Sequence, residues 1–145
     1  MEFTPEHASW IEELPAMARV GQALLLHADS TLYINFGASI ETLNKAFHGS
    51  MRNRELLPPW ELALSAFGEH MAFSELEMTG TQRTRQILGL YGGDTLIHGH
   101  TPIPYARRTN PTSVIEHWTY CDGACINVDG GIYMGAPGFV YELPD

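Results

Sequence analysis

Three stretches of this chain end an apolar run on a side chain that can bind a metal ion or hold a proton. Residues 24–26 run into His27-Ala28-Asp29, Leu96-Ile97 into His98-Gly99-His100-Thr101-Pro102, and residues 126–128 into Asp129-Gly130-Gly131. A histidine between small residues at a strand's end is held by rigid backbone yet open to a cleft. A neutral imidazole there suits a divalent transition metal. Two histidines from separate strands suit Zn, Mn or Fe, although a hydrolytic site also needs carboxylates and an open position for water. For an isolated His-Gly-His the plain alternative is a core or turn histidine.

Those side chains need strands to carry them and helices to cover the strands. Leu24-Leu25-Leu26 is continuously apolar, as in a strand buried on both faces. Gly92-Gly93-Asp94 reads as a turn into a strand that reaches His98 and stops at Thr101-Pro102, because proline cannot donate to a ladder. Cys125 to Asp129 reads as a third strand, entered through a turn at Asp122-Gly123. Strand ends of this kind converge on one crevice in α/β folds.

Thr4-Pro5-Glu6 opens a first helix: a hydroxyl cap, proline in the first turn and an acid near the positive end of the dipole. Trp10, Leu14 and Met17 fall at helical spacing, with Pro15 as a stop. Leu32-Tyr33-Ile34 reads as a short strand turned by Asn35-Phe36-Gly37. Ser39 caps a helix from Ile40 to about Phe47, and Gly49 stops it. Pro58-Pro59 starts another with the stripe Trp60, Leu64 and Phe67. Thr79 to Leu90 forms the next. A long polar loop follows Pro102 to about His117, and Gly138 to Leu143 alternates as a closing edge strand.

The 145 residues fit one domain, and 44% apolar side chains can build a core. Three Trp, six Phe and six Tyr argue against disorder. A formal charge of −9, from 17 acidic and 8 basic side chains, argues against a generic nucleic-acid or anionic-membrane binder. Cys121 and Cys125 form one CxxxC pair, too few thiols for a tetrahedral zinc site, and read as reduced, partly buried thiols. No apolar run resembles a signal peptide or approaches membrane-spanning length. The expected setting is cytoplasmic.

In chain order, Leu25-Leu26-His27-Ala28, Ile97-His98-Gly99-His100-Thr101-Pro102 and Asn127-Val128-Asp129-Gly130-Gly131, with Gly135 and a closing strand, resemble calcineurin-like metallophosphoesterases of the phosphoprotein-phosphatase type. The resemblance covers nearly the whole chain but only the C-terminal half of that fold. It implies half of an αββα sandwich: an α/β domain with a mixed sheet, helices between residues 39 and 92, and one partial domain over residues 1–145.

The resemblance also implies site residues. His27 and His100 would bind one metal ion, of two (Mn, Zn or Fe) in a complete site that hydrolyses a phosphate ester. Gly99 and Thr101 would shape the loop that carries His100. His98 would support or pack behind them, and Asp129 would be structural. Arg52 and Arg54 are the available arginines for the substrate phosphate, with solvated loop charge as their other reading.

The family's Asp-x-His, Gly-Asp-x-x-Asp and Gly-Asn-His blocks are absent from these 145 residues. The chain alone is therefore expected to be inactive, to need another chain for the missing half, or to self-associate through an uncovered edge. A different class of function is a non-catalytic remnant, or a binding module, that keeps the core and has lost the chemistry.

Overall fold

Five short strands form one mixed sheet, and its three central members are the parallel strands that run into His27, His100 and Asp129. The computed structural model describes residues 4–52, 61, 65, 66, 68–74 and 79–143. Strands are β1 (Met17–Val20), β2 (Ala23–Ala28), β3 (Thr95–Gly99), β4 (Trp118–Tyr120) and β5 (Cys125–Asn127), in the order β1-β2-β3-β5-β4. β2, β3 and β5 run parallel, while β1 and β4 close the two edges antiparallel. The chain is thus an α/β domain with a mixed sheet.

Register sets the site. Leu24 pairs with Leu96 and Leu25 with Ile97, while His98 pairs with Asn127. Between Leu25 and Ala28 the β2–β3 register slips, so that Ala28 comes opposite Gly99. An irregularity of this kind re-aims the local side chain. It falls at Leu26 and His27, beside the Gly99 end of β3.

The helices α1 (Pro5–Glu13), α2 (Ile40–Arg52), α3 (Thr79–Tyr91) and α4 (Ile103–Arg107) account for the helical structure of assigned span. α1 starts at Thr4 with a capping box closed by His7, and Pro5 stands at its first turn. α2 and α3 bury Leu43, Phe47, Ile87, Leu88 and Tyr91 against Leu24, Leu26 and Leu96 on one face of the sheet. The other face holds a smaller cluster of Ala23, Ile97 and Ile126, covered in part by Tyr141. Every parallel strand is therefore apolar on both faces, as continuous runs require.

Several expectations need correction. Leu32–Phe36 is a 3-10 turn, not a strand: Tyr33 and Phe36 are its buried residues. Their i, i+3 spacing matches the 3-10 repeat and not the period of two. Met17 belongs to β1 rather than to the first helix. Its backbone N–H and C=O both bond to the Asn44 side chain, at 3.0 and 2.8 Å, which ties β1 to α2. α2 runs past Gly49 to Arg52.

The loop after Pro102 contains α4, nucleated by Pro102 at its N-cap and Pro104 in its first turn. Residues 138–143 pair with no strand among the described residues: Val140 is exposed, and Tyr141 packs on His117 at 4.7 Å between ring centroids. The expected helix at Pro58-Pro59 with Trp60, Leu64 and Phe67 lies outside the described residues. Among the described residues no helix is long and apolar enough to cross a membrane.

Candidate functional site

The carboxyl ends of β2 and β3 open on a cleft of about 670 Å³, lined by His27, His70, His100 and Asp129 with Pro102, Tyr105 and Tyr133. His27 and His100 face each other with ring centroids 4.9 Å apart and planes tilted by 50°. His70, which follows no apolar run, lies flat on His100 at 4.7 Å and 9°. Nothing in the local sequence marks His70. The connection between α2 and α3 brings it to the strand ends.

Burial and neighbouring charge lower the pKa of two of these rings. Partial burial lowers the His27 pKa, helped by the His100 charge and opposed by Asp129. Burial likewise lowers His100, with His70 adding to the effect and Asp29 and Asp129 opposing it. A neutral imidazole keeps a lone pair, which is the form that ligates a metal.

Under the cleft lies a polar floor. Asp29 and Thr101 are both buried, and the Thr101 hydroxyl donates to Asp29 Oδ1. Asp29 Oδ2 accepts the Met71 N–H at 2.6 Å, and His70 Nδ1 lies 3.0 Å from Thr101 Oγ1. Glu69 accepts the Ser30 hydroxyl at 2.7 Å and the Thr31 N–H at 2.8 Å, pinning the same segment to the end of β2. The Asn127 amide donates to the Thr101 carbonyl at 2.7 Å, while Asn127 Oδ1 accepts the Asp129 N–H at 2.8 Å. Asp129 in turn accepts the Gly131 N–H at 2.9 Å. The three strand ends are thereby cross-linked through side chains.

The sequence-derived residues take different places. His27 and His100 come together at the cleft. His98 does not reach it: fully buried, it donates from Nδ1 to the Gly99 carbonyl at 2.9 Å and meets the Tyr120 hydroxyl at Nε2 at 2.6 Å. Burial holds its pKa low and pushes that of Tyr120 up. Asp129, read from the sequence as structural only, also lines the cleft.

Thr101 shapes the loop through its hydroxyl, and His100 takes the left-handed conformation at φ 66°. Gly99 does less than expected, because a Cβ there would sit 3.7 Å from the His27 carbonyl and 3.9 Å from Asp129 Cβ, ordinary contacts. Arg52 is exposed at the end of α2 and is not among the described residues lining the cleft. Arg54 lies outside the described residues. Cys121 and Cys125 are buried, reduced thiols away from the cleft lining, and burial raises the Cys125 pKa.

A divalent metal is implied by the resemblance, and His27 with His100 fits it in donor type and proximity. Among the described residues no group of three His, Cys, Asp or Glu side chains is placed to hold an ion.

No protein-family model matches the chain, and neither does any curated protein. A solved structure described as a cold-active protein tyrosine phosphatase is similar to it, with a TM-score of 0.65 at 18% identity. The match covers 92% of this chain and 38% of that one, so the chain spans about two fifths of that protein's length. At this identity the likeness shows the fold alone: the chain has the α/β fold of a segment of that phosphatase.

Proposed function

We propose that this chain is the histidine-bearing part of a metal-dependent phosphate-ester hydrolase, with His27 and His100 holding one divalent ion, Mn, Zn or Fe, of the two in a complete site. The observation that carries this reading is the 4.9 Å apposition of the two rings at the ends of neighbouring parallel strands. The fold shared with a phosphatase segment and the motif order around the two histidines support it.

A bound ion of this kind supplies an activated water and offsets charge on the phosphoryl oxygens. The chain's own residues hold the geometry. The polar floor of Asp29, Thr101 and Asn127 fixes the ligand loop, and desolvation lowers the pKa of both imidazoles, which favours the metal-binding neutral form. The remaining ligands and the bridging carboxylate are proposed to come from a further segment or a second chain, or from self-association. Arg52 is not carried into the proposal.

That no three donors are placed together to hold an ion among the described residues favours a second reading, a binding module without chemistry. Calorimetric titration with Mn²⁺ and Zn²⁺ tests the first. One ion should bind each chain, and His27→Ala and His100→Ala should each weaken it at least about tenfold. p-Nitrophenyl phosphate turnover by the chain alone should be negligible. Absence of metal binding sinks the hydrolase reading. Binding without turnover, once the chain is joined to any coding sequence upstream of Met1, selects the module.

A further inference from the structure

The cleft holds an imidazole that the motif order does not assign. His70 enters from the segment before α3, stacks on His100 and lines the same cleft. One edge of its ring is engaged: Nδ1 lies 3.0 Å from Thr101 Oγ1. A threonine hydroxyl has one proton and two lone pairs. Thr101 gives that proton to Asp29, whose other oxygen already accepts the Met71 N–H. The hydroxyl can then only accept from His70, so the His70 proton sits on Nδ1. Asp29 and Thr101 are 2% and 1% exposed, so water does not compete for these groups. Among the described residues no other group hydrogen-bonds the His70 ring, and the residue is exposed.

From this chain of donors and acceptors we infer that Asp29 and Thr101 are positioning residues that hold His70 as its Nδ1–H tautomer, so that the Nε2 lone pair stands open in the cleft as an acceptor for an O–H of the phosphate ligand. The inference about the ligand rests on the phosphate-ester reading of the cleft; the tautomer does not. Which ring nitrogen carries the proton is set by the bond the other one makes. His70 acts on the ligand, and the two buried residues act through His70. The stacked arrangement also explains why His70 does not complete a metal cage. Two stacked rings within 9° of parallel keep their in-plane lone pairs in separate, near-parallel planes, which do not meet at one ion.

Long-range ¹H–¹⁵N correlation spectra of the imidazole-labelled full chain, recorded above the ordinary histidine range of about pH 6.5, read the tautomer directly. His70 is expected as Nδ1–H in the unmodified protein and in Thr101→Ser, which keeps the hydroxyl. In Thr101→Val the Nε2–H form should predominate. A role limited to packing would leave the tautomer unmoved in Thr101→Val. Finding His70 as Nε2–H in the unmodified protein, or unchanged in folded Thr101→Val, overturns the inference. If Thr101→Val does not fold, the unmodified and Thr101→Ser spectra decide it.

Adding inorganic phosphate should shift the His70 Nε2 resonance. If phosphate moves no cleft imidazole while the tautomer pattern holds, the phosphate reading fails and the relay stands. If phosphate moves His27 and His100 but not His70, the role of His70 as a ligand acceptor is overturned.

Discussion

Asp29 and Thr101, 72 positions apart in the chain, share a buried hydrogen bond that ties the end of β2 to the loop after β3. Through Met71 and His70 the same pair fastens the segment preceding α3. One carboxylate thus joins three pieces of chain that local sequence keeps separate. Removing it leaves a half-buried N–H and a buried hydroxyl without their acceptor. Asp29→Ala should therefore cost about 2–4 kcal/mol in urea unfolding. Asp29→Asn keeps an acceptor oxygen and should cost less. Equal stability of Asp29→Ala and the unmodified chain would show that the floor does not hold the strand ends together.

Two glycines should respond in opposite ways to alanine. A Cβ at Gly99 would make only ordinary contacts and the residue has no positive φ, so Gly99→Ala should change stability by less than about 1 kcal/mol. Gly93 has φ 96°, and its Cβ would lie 2.6 Å from the Gln22 carbonyl oxygen. Gly93→Ala should cost more than about 2 kcal/mol. Thermal unfolding of the two variants checks the ranking, and a Gly99→Ala loss matching that of Gly93→Ala would contradict this account of the loop.

Alkali should weaken the fold through a buried phenol. Tyr33 is fully buried, and burial pushes its pKa up from 10.0 to about 12. The folded state keeps the neutral phenol while the unfolded chain ionises first. The stabilisation is therefore whole below pH 10 and lost as pH rises from 10 towards 12. The two-unit rise corresponds to about 2–3 kcal/mol. Urea unfolding at a series of alkaline pH values should show this loss, and Tyr33→Phe should flatten it. The same loss in Tyr33→Phe would assign it to other phenols, among them Tyr91 and Tyr120, which burial also raises.

The two cysteines should be unreactive while the fold is intact. Both are buried, Cys121 donates its thiol proton to the Phe73 carbonyl at 3.1 Å, and burial raises the Cys125 pKa. Thiolate is the reacting form, so a chromogenic disulfide reagent should label neither thiol in native buffer and two thiols in denaturant. Rapid native labelling of either would place it at an accessible surface.

The apolar runs that stop at His27 and His100 were legible from sequence, because a parallel strand buried on both faces leaves an uninterrupted signal that ends where the polar cleft begins. The helices Ile40–Arg52 and Thr79–Tyr91 were legible for a similar reason, since each must turn one apolar face to the sheet. Elements whose conformation depends on partners far away were not. Met17 joins β1 because Leu26 offers an antiparallel neighbour, and Tyr33 forms a 3-10 turn because its ring fills the space beside Phe47. Residues 138–143 alternate like a strand but find no ladder to join.

At the site, sequence determined two imidazoles and the backbone that stiffens them. Tertiary structure alone decided that β2 and β3 lie side by side, which brings those rings within 4.9 Å. It also decided that His70 and Asp29 belong to the same cleft and its floor. Asp29 stands at the end of an apolar run, but His70 has no local pattern, because hydrogen bonds between distant segments leave no periodic trace in the residues that make them.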